Sequence, residues 1–262
     1  MAAATLPPDA SPLGPASAGP YVEPPQRVKR AAERGCVLIP AYNEAGRIGE
    51  VVRRVREKIQ AVLVVDDGST DATAEEARAA GADVVRHEVN RGKGMALATG
   101  FARVRVLGFD WVITMDADGQ HSPEDIPRFI EAYVRTGYPV LVGNRMADVR
   151  AMPLIRRWTN RFMSWLLSRE MGQYVPDTQC GFRFYRADVL PFLGTASPRF
   201  AAESEALLHV SALGLRIGAV PISTIYIEGR ESHIQPVQDT WRFIRMLWDY
   251  RRSRRPQPVR NI

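Results

Sequence analysis

The chain has 262 residues, 45% of them apolar and 24% charged, with a net charge of +6, which predicts one or two folded domains with a large core. Its two cysteines, Cys36 and Cys180, form neither a metal-binding motif nor a disulfide framework. No apolar run reaches the roughly 18 residues that cross a bilayer, and no signal peptide is recognisable. These absences favour a cytoplasmic protein, either free or bound to the inner face of a membrane.

In chain order, residues 1–33 are rich in Pro and Ala and lack periodicity, which predicts a disordered leader. Apolar runs then alternate with segments of helical spacing. The expected strands are 36–42, 61–67, 83–89, 110–118, 138–145, 181–186 and 216–228. The expected helices are 47–59, 71–81, 92–108, 122–137, 153–171, 203–214 and 239–255.

Continuously apolar strands that alternate with helices predict an α/β fold, with a mostly parallel, Rossmann-like sheet covered by helices on both faces. We expect a single domain over residues 34–238, followed by a basic amphipathic helix and tail over 239–262. In such sheets ligands bind beyond the carboxyl ends of the strands. That rule places three acidic segments on one rim, namely 40–44, 65–71 and 115–120.

The fourth strand is followed by two aspartates two residues apart, Asp116 and Asp118. Side chains two apart on a strand point to the same side, so both carboxylates can approach one point. Mg²⁺ and Mn²⁺ are held by one or two carboxylates together with waters and substrate phosphates. Gln120 can add a carbonyl oxygen, and His121 is a further possible ligand. The alternative is a surface turn with a helix cap, but Ser122 already fills the capping position.

Two other segments on this rim carry candidate ligands for a nucleotide. Asp66 and Asp67 end the second strand, where they can accept hydrogen bonds from ribose hydroxyls or from a base N–H; a turn with a helix cap is the alternative. The segment 90–100 lacks the Walker pattern, so it is not a phosphate-binding P-loop. Lys93 begins a helix and can contact a phosphate, although a structural turn fits it equally well.

The second half of the chain supplies possible phosphate and acceptor ligands. Arg145 follows the fifth strand, and Arg230 lies beyond the last strand near Ser232; a guanidinium there can bind a phosphate with two hydrogen bonds. Glu203 and Glu205 begin a helix, where they either stabilise its dipole or act on an acceptor.

Seven segments in order resemble the family 2 glycosyltransferases of the GT-A fold. The resemblance is strongest to the dolichyl-phosphate mannosyltransferases and the bacterial polyprenyl-phosphate sugar transferases, and it covers roughly residues 35–245. Any one motif is modest, whereas seven in order are specific. The segments are PAYNE (40–44), VDDGSTD (65–71), NRGKGMAL (90–97), DADGQH (116–121), DTQCGFRFYR (177–186), ESE (203–205) and GRESH (229–233).

The resemblance implies an inverting transfer of a hexose from a nucleotide-sugar, GDP-mannose or a UDP-sugar, to a polyprenyl or dolichyl phosphate, with Mg²⁺ or Mn²⁺. It implies roles for matched residues in four groups. These are Pro40, Tyr42, Glu44 and Asp67 for the nucleoside; Asp116, Asp118 and Gln120 for the metal; Arg145, Arg157 and Arg230, with the neighbouring Ser232, for phosphates; and Glu205 near the acceptor. We expect Asp118, Glu205, Arg145 and Arg230 to carry the catalysis.

Many members of the family have C-terminal transmembrane helices, which this sequence lacks. Two basic amphipathic segments offer another route to a membrane, because helices of this kind lie in bilayer interfaces. Each segment has an apolar stripe beside arginines, and the alternative is that the stripe packs on the core. The stripes are Leu154, Trp158, Phe162 and Trp165 in one segment, and Trp241, Ile244 and Trp248 in the other.

Other functions remain open at this point. The same enzyme can transfer to a soluble or protein hydroxyl, which would require a base such as Glu205. A basic nucleic-acid-binding protein would show aromatic and basic residues on one exposed platform, whereas this chain has acidic strand ends, so we expect no nucleic acid partner. A polymerising synthase is rejected because Leu154 stands where its motif requires Gln or Arg.

Overall fold

The computed structural model describes residues 24–147, 152–193, 201–225 and 236–253. Within these ranges seven strands form one sheet. They are β1 (Gly35–Ala41), β2 (Val62–Asp66), β3 (Asp83–Arg86), β4 (Trp111–Thr114), β5 (Val140–Asn144), β6 (Arg183–Arg186) and β7 (Ile217–Pro221). The order across the sheet is β3-β2-β1-β4-β6-β5-β7.

Eight α-helices accompany the sheet in the described part of the chain. They are α1 (Pro24–Ala32), α2 (Ile48–Arg56), α3 (Thr73–Ala79), α4 (Lys93–Val106), α5 (Ile126–Thr136), α6 (Leu154–Met171), α7 (Ala201–Ala212) and α8 (Pro236–Ser253). Short 3₁₀ helices cover Pro123–Asp125, Arg145–Ala147 and Ala187–Phe192. The predicted α/β fold is confirmed, and every predicted strand and helix has a counterpart, with most elements shorter than predicted.

The sheet is mostly parallel, as predicted. Strands β1 to β4 pair in parallel, as do β5 and β7, whereas β6 runs antiparallel between β4 and β5. Phe182 and Phe184 are fully buried, which confirms that one face of this segment belongs to the core. The intervening Arg183 is buried as well, since it is 1% exposed. The reversed strand brings the segment before β6 to the carboxyl edge of β4.

Helix α1 corrects the predicted leader over its last residues. Pro24–Ala32 is a helix, and its end is tied to the sheet because the indole Nε1 of Trp111 donates to the carbonyl of Ala31 at 2.9 Å. The side chains of Arg34 and Asp110 pair beside it. The proline-rich composition did not predict this helix, because its contact with Trp111 and the contact of the adjoining Arg34 with Asp110 come from a distant part of the chain. Residues 1–23 lie outside the described residues.

The predicted fourth strand is shorter than expected, and this matters for the acidic pair. Strand β4 ends at Thr114, so Asp116 and Asp118 lie in the loop beyond it. The alternation argument for a strand therefore does not apply to them, and their positions are set by the loop. The predicted last strand likewise ends at Pro221. Over the part of the chain that the structure describes, no helix is both long and apolar enough to cross a membrane.

Candidate active site

Loops from β1, β2, β4 and the start of β6 meet at one edge of the sheet, as predicted for the acidic segments. The amide of Asp67 donates to the carbonyl of Ala41 at 2.8 Å, and that of Met115 donates to the carbonyl of Leu38 at 3.0 Å. The hydroxyl of Thr114 donates to the carbonyl of Gly181 at 2.9 Å. These bonds fix the carboxyl ends of neighbouring strands at one level, so their loops form a continuous rim.

The loop after β1 is joined to the loop after β2 by side-chain hydrogen bonds. The amide of Asn43 donates to the hydroxyl of Ser69, and the amide of Thr70 donates to the side-chain oxygen of Asn43, both at 2.9 Å. Asn43 adopts a left-handed conformation with φ of 54°. Pro40 and Glu44 are half-buried in this frame, while Tyr42 is 45% exposed. The nucleoside contacts expected of these three residues stay a prediction.

Asp66 and Asp67 are buried and bonded to the protein itself. The Asp67 carboxylate contacts His87 Nδ1 at 2.6 Å and accepts from the amides of Arg91 at 3.0 Å and Gly92 at 2.7 Å. Asp66 accepts from the amide of Ser69 at 3.0 Å. Asp67 therefore holds the loop that leads into α4, a role that sequence reasoning missed. Their direct contact with a nucleoside stays a prediction.

A cluster of three charged side chains lies at the centre of the rim. The ammonium of Lys93, the first residue of α4, is 2.6 Å from Asp116 Oδ1 and 3.2 Å from Glu203 Oε1. Burial by itself would lower the pKa of Lys93, but the two carboxylates outweigh it and raise the pKa. Burial would raise the pKa of Asp116, yet Lys93 and His121 outweigh that effect and lower it. Lys93 and Asp116 are therefore both ionised at neutral pH.

Asp118 and His121 shape the loop around Asp116. Asp118 Oδ1 accepts from the amide of Gln120 at 2.9 Å, which closes a tight turn at Gly119. His121 is buried, its Nδ1 accepts from the amide of Asp116 at 3.3 Å, and its ring stacks on Phe182. Burial lowers the pKa of His121 more than the neighbouring aspartates raise it. The imidazole is therefore neutral in the physiological range.

The chemistry of this loop fits a hard divalent cation that takes part of its coordination from substrate. Among the described residues, no three His, Cys, Asp or Glu side chains are arranged to hold a metal by themselves. Mg²⁺ needs only one or two carboxylates when waters and phosphates complete its shell. Asp116, Asp118 and the amide oxygen of Gln120 are of the types that such a partial set requires, and their binding of a metal stays a prediction. The bond from Lys93 shows that Asp116 already attracts a cation inside the protein.

Arg145 follows β5 as predicted, but its side chain pairs with an aspartate. It is 7% exposed, and its guanidinium donates to Asp177 from Nε at 2.7 Å and from Nη2 at 2.9 Å. Its backbone amide donates to the same carboxylate at 3.1 Å. The structure thus pairs Arg145 with Asp177, and the phosphate contact expected of Arg145 stays a prediction. Sequence reasoning missed this partner because the two residues lie 32 positions apart.

Arg183 is a second buried arginine, and it joins two parts of the site. It donates to the carbonyls of Cys180 at 2.7 Å, Thr178 at 2.8 Å and Glu203 at 2.5 Å. These bonds connect the loop before β6 to the first turn of α7. The alternating pattern of β6 predicted only that Arg183 faces away from the phenylalanines, and so it did not reveal this function.

The two glutamates near the start of α7, Glu203 and Glu205, point to different sides of the helix. Glu203 reaches Lys93, although the resemblance pointed to Glu205. Residues two apart on a helix lie about 200° apart around its axis, so Glu205 leaves α7 on another side. Glu205 and Arg157 are half-buried. Arg230 and Ser232 lie outside the described residues, and the roles expected of all four stay predictions.

Comparison with known proteins agrees with this architecture. Residues 36–193 match the family model described as Glycosyl transferase family 2. The chain is 34% identical over 215 residues to the UDP-N-acetylglucosamine–dolichyl-phosphate N-acetylglucosaminyltransferase of Methanococcus voltae, covering 73% of this chain and 86% of that protein. It is also 34% identical over 215 residues to the undecaprenyl-phosphate mannosyltransferase of Micrococcus luteus, covering 76% and 86%.

A solved structure shows the same fold at lower identity. Glucosyl-3-phosphoglycerate synthase of Mycobacterium tuberculosis, crystallised with Mn²⁺, uridine diphosphate and phosphoglyceric acid, has a TM-score of 0.69 and 23% identity, covering 92% of this chain and 86% of that one. The fold and these matches define a glycosyltransferase of GT-A fold. The chain belongs to glycosyl transferase family 2, in which the two relatives above transfer sugars to dolichyl and undecaprenyl phosphate.

Proposed function

We propose that the chain is an inverting, metal-dependent hexosyltransferase, which moves a sugar from GDP-mannose or a UDP-sugar to a polyprenyl phosphate at the inner face of the membrane. The observation that carries the proposal is the meeting of Lys93, Asp116 and Glu203 beside Asp118 on the carboxyl rim. The named acceptors of the two relatives support the choice of a lipid phosphate. Solved neighbours that bind UDP with Mg²⁺ or Mn²⁺ support the cofactor.

The reaction places new negative charge on the nucleoside diphosphate as the anomeric bond breaks. When bound, a divalent ion held by Asp116, Asp118 and Gln120 supplies positive charge to that leaving group. Lys93 stands at the amino end of α4, where backbone amides and an ammonium both favour phosphate. Lys93, Asp116 and Glu203 are partly buried and already in contact in the free protein.

The acceptor phosphate is itself anionic near neutral pH, so it needs orientation more than deprotonation. In the proposal, Arg157 on α6 and Arg230 with Ser232 bind this phosphate. Glu205 lies near the acceptor, and it would serve as the base only if the acceptor were a hydroxyl. Pro40, Tyr42 and the aspartates of the second loop contact the nucleoside, which is either uridine or guanosine.

Helices α6 and α8 together present an exposed aromatic face that supports contact with a membrane. Their inner faces pack on the core through Met163 and Leu167 on α6 and Phe243, Met246 and Leu247 on α8. Arg251 pairs with Glu170 and joins the two helices. The outer residues, which we call the tryptophan surface, are Leu154, Ile155, Trp158, Phe162 and Trp165 on α6 and Trp241, Ile244 and Trp248 on α8, exposed by 38–72%.

Basic side chains border the tryptophan surface. The guanidinium of Arg252 lies 4.6 Å from the ring centre of Trp248, and that of Arg169 lies 5.9 Å from that of Trp165. Near an anionic leaflet each arginine adds about 1 kcal/mol of attraction. Helix α6 is also fixed to the site, because the hydroxyl of Ser164 accepts from the amide of Thr178 at 2.9 Å. We infer that the tryptophan surface lies in the membrane–water interface and that it brings the lipid phosphate close to the carboxyl edge of the sheet.

The enzymatic proposal predicts that Asp118→Asn lowers transfer by about 100-fold, because it weakens a ligand of the leaving group's cation. The assay offers radiolabelled GDP-mannose, UDP-glucose and UDP-N-acetylglucosamine with Mn²⁺ and undecaprenyl phosphate, and measures label extracted with the lipid. Asp188→Asn, an exposed carboxylate next to the opposite end of β6, is the matched control and should keep full activity. Full activity in Asp118→Asn, or label found only on soluble hydroxyls, would contradict the proposal.

The membrane proposal predicts that Trp158→Ser with Trp165→Ser weakens binding to phosphatidylglycerol vesicles by at least about 100-fold, because two buried apolar side chains at roughly 1.5–3 kcal/mol each contribute about 3–6 kcal/mol. Co-sedimentation measures the bound fraction. Val106→Ser with Leu107→Ser removes two exposed apolar side chains at the far end of α4 and should leave binding unchanged. Equal loss in both pairs would show that the effect is not specific to the tryptophan surface.

A further inference from the structure

Lys93 occupies the position on Asp116 that a divalent cation would need. Its ammonium lies 2.6 Å from Asp116 Oδ1, which is a direct contact between two charged groups. Mg²⁺ binds carboxylate oxygens at about 2.1 Å. An ammonium at this oxygen and a metal ion on the same side would repel each other strongly at so short a distance. Lys93 and the ion therefore compete for Asp116.

The protein holds Lys93 in this position from a second side. Glu203 Oε1 is 3.2 Å from the ammonium, and the side chain of Glu203 is only 11% exposed. The carbonyl of Glu203 accepts from Arg183, which fixes the first turn of α7. A Cβ on Gly181 would lie 3.0 Å from Asp116 Oδ2 and 3.1 Å from Lys93 Nζ, so a larger residue there would press on both charged groups. Lys93 is thus confined between two carboxylates.

A nucleoside diphosphate would change this balance. Lys93 is the first residue of α4, so a phosphate bound at the amino end of this helix offers the ammonium another anion. Movement of Lys93 to the phosphate leaves Asp116 open to the metal ion, and the ion in turn gains phosphate oxygens as ligands. Glu203 remains as the second anchor to which Lys93 returns when the nucleotide leaves.

We propose that Lys93 is a built-in substitute cation, which occupies Asp116 in the free enzyme and makes divalent metal binding depend on the nucleoside diphosphate. The inference rests on the proposed function, because it concerns the same site. Since coupling between two ligands is reciprocal, metal and nucleotide each strengthen the binding of the other. The free enzyme accordingly binds the metal weakly and is protected from loading with ions when no donor is present.

The test measures Mn²⁺ binding to the full chain from the electron paramagnetic resonance signal of free Mn²⁺, with and without UDP or GDP. The central variant is Lys93→Met with Glu203→Gln. It removes one positive and one negative charge, so the net charge of the cluster stays at −1 while Asp116 loses its ammonium. Lys93→Met and Glu203→Gln alone serve as comparisons, and thermal unfolding checks the fold. If the central variant does not fold, Lys93→Gln with Glu203→Gln is used in its place.

We expect the double variant to bind Mn²⁺ about tenfold more tightly than the wild type without nucleotide, within the usual range of coupling between sites. UDP or GDP should reduce this difference. Glu203→Gln alone should bind Mn²⁺ no more tightly than the wild type, because Lys93 stays on Asp116. If only Lys93→Met binds more tightly and the double variant matches the wild type, net charge explains the result and the inference is overturned.

The two proposals fail in different ways. If the wild type binds Mn²⁺ equally well with and without UDP or GDP, Lys93 does not control the site and only this inference is overturned. If no variant binds Mn²⁺ even with UDP and GDP, metal-dependent transfer is rejected and the inference falls with it.

Discussion

At the scale of single residues, several side chains that pattern and resemblance assigned to ligands are used by the protein to hold its own loops. Asp67 accepts from the amides of Arg91 and Gly92, and Arg145 is paired with Asp177. Asp67 fixes the loop that leads into Lys93. Asp177, held by Arg145, belongs to the loop before β6, whose Gly181 lies beside Asp116. A substitution at such a position would disturb the site by moving a loop, even where the side chain touches no substrate.

The Arg145–Asp177 pair offers a direct test of this structural role. We expect Asp177→Asn to destabilise the fold by about 3–5 kcal/mol, because it leaves a buried guanidinium without its counter-charge. The pair of Arg186 with Asp188 has the same two-bond geometry but is exposed, so Asp188→Asn should cost about 0–1 kcal/mol. Urea unfolding measures both. Equal costs would show that Arg145 is not held as the structure indicates.

At the scale of secondary-structure elements, the packing of α4 on β1 affects the position of Lys93, the first residue of α4. Gly100 lies in the middle of α4, and a Cβ there would be 2.3 Å from Leu38 Cδ1. The helix therefore approaches the sheet more closely than any larger residue allows. Since α4 carries Lys93 at its first turn, this close approach also helps to set where Lys93 lies relative to Asp116.

We expect Gly100→Ala to destabilise the protein by about 1–3 kcal/mol through overpacking, although alanine is the better helix former. Gly49 in α2 is the matched control, because the nearest atom to its Cβ would be 3.5 Å away. Gly49→Ala should instead stabilise the protein by about 0.5–1 kcal/mol. Thermal unfolding of both variants shows whether each change in stability has the expected sign. A stabilised Gly100→Ala would contradict the close packing of α4 on β1.

At the scale of the whole molecule, the two thiols report on cooperative unfolding. Cys36 lies in β1 and Cys180 in the loop before β6, and both are fully buried. Burial raises the pKa of Cys36 to about 12, and burial is also the main cause that raises that of Cys180 to about 12. At pH 8 about one thiol in ten thousand is ionised in the folded state, whereas an unfolded thiol has a pKa near 8.5.

We expect neither thiol to react with a disulfide reagent at pH 8 until the chain unfolds, because the thiolate is the reactive form. The variants Cys36→Ala and Cys180→Ala leave one thiol each, and both should then react at the same rate, set by unfolding. Absorbance of the released thiolate follows the reaction. A much faster reaction of Cys180 would show that the loop beside Asp116 opens independently of the core.

The sequence by itself determined the fold class and the family. Continuous apolar runs such as 36–42 and 61–67, alternating with amphipathic segments, specify buried parallel strands, because each element must bury its own apolar face. The seven motifs in order identified the family, and the match over residues 36–193 confirmed it. These properties depend on residues that are close in sequence, so local patterns predict them well.

Only the tertiary structure decided how the charged residues are paired. The antiparallel direction of β6 brings Gly181 to Asp116, and α7 then brings Glu203 rather than Glu205 to Lys93. It also decided that the aromatic stripes of α6 and α8 face outward. Lys93 and Glu203 are 110 residues apart. Charges so far apart in the chain can meet only after the core has packed, because the sheet and its helices set the distance between them.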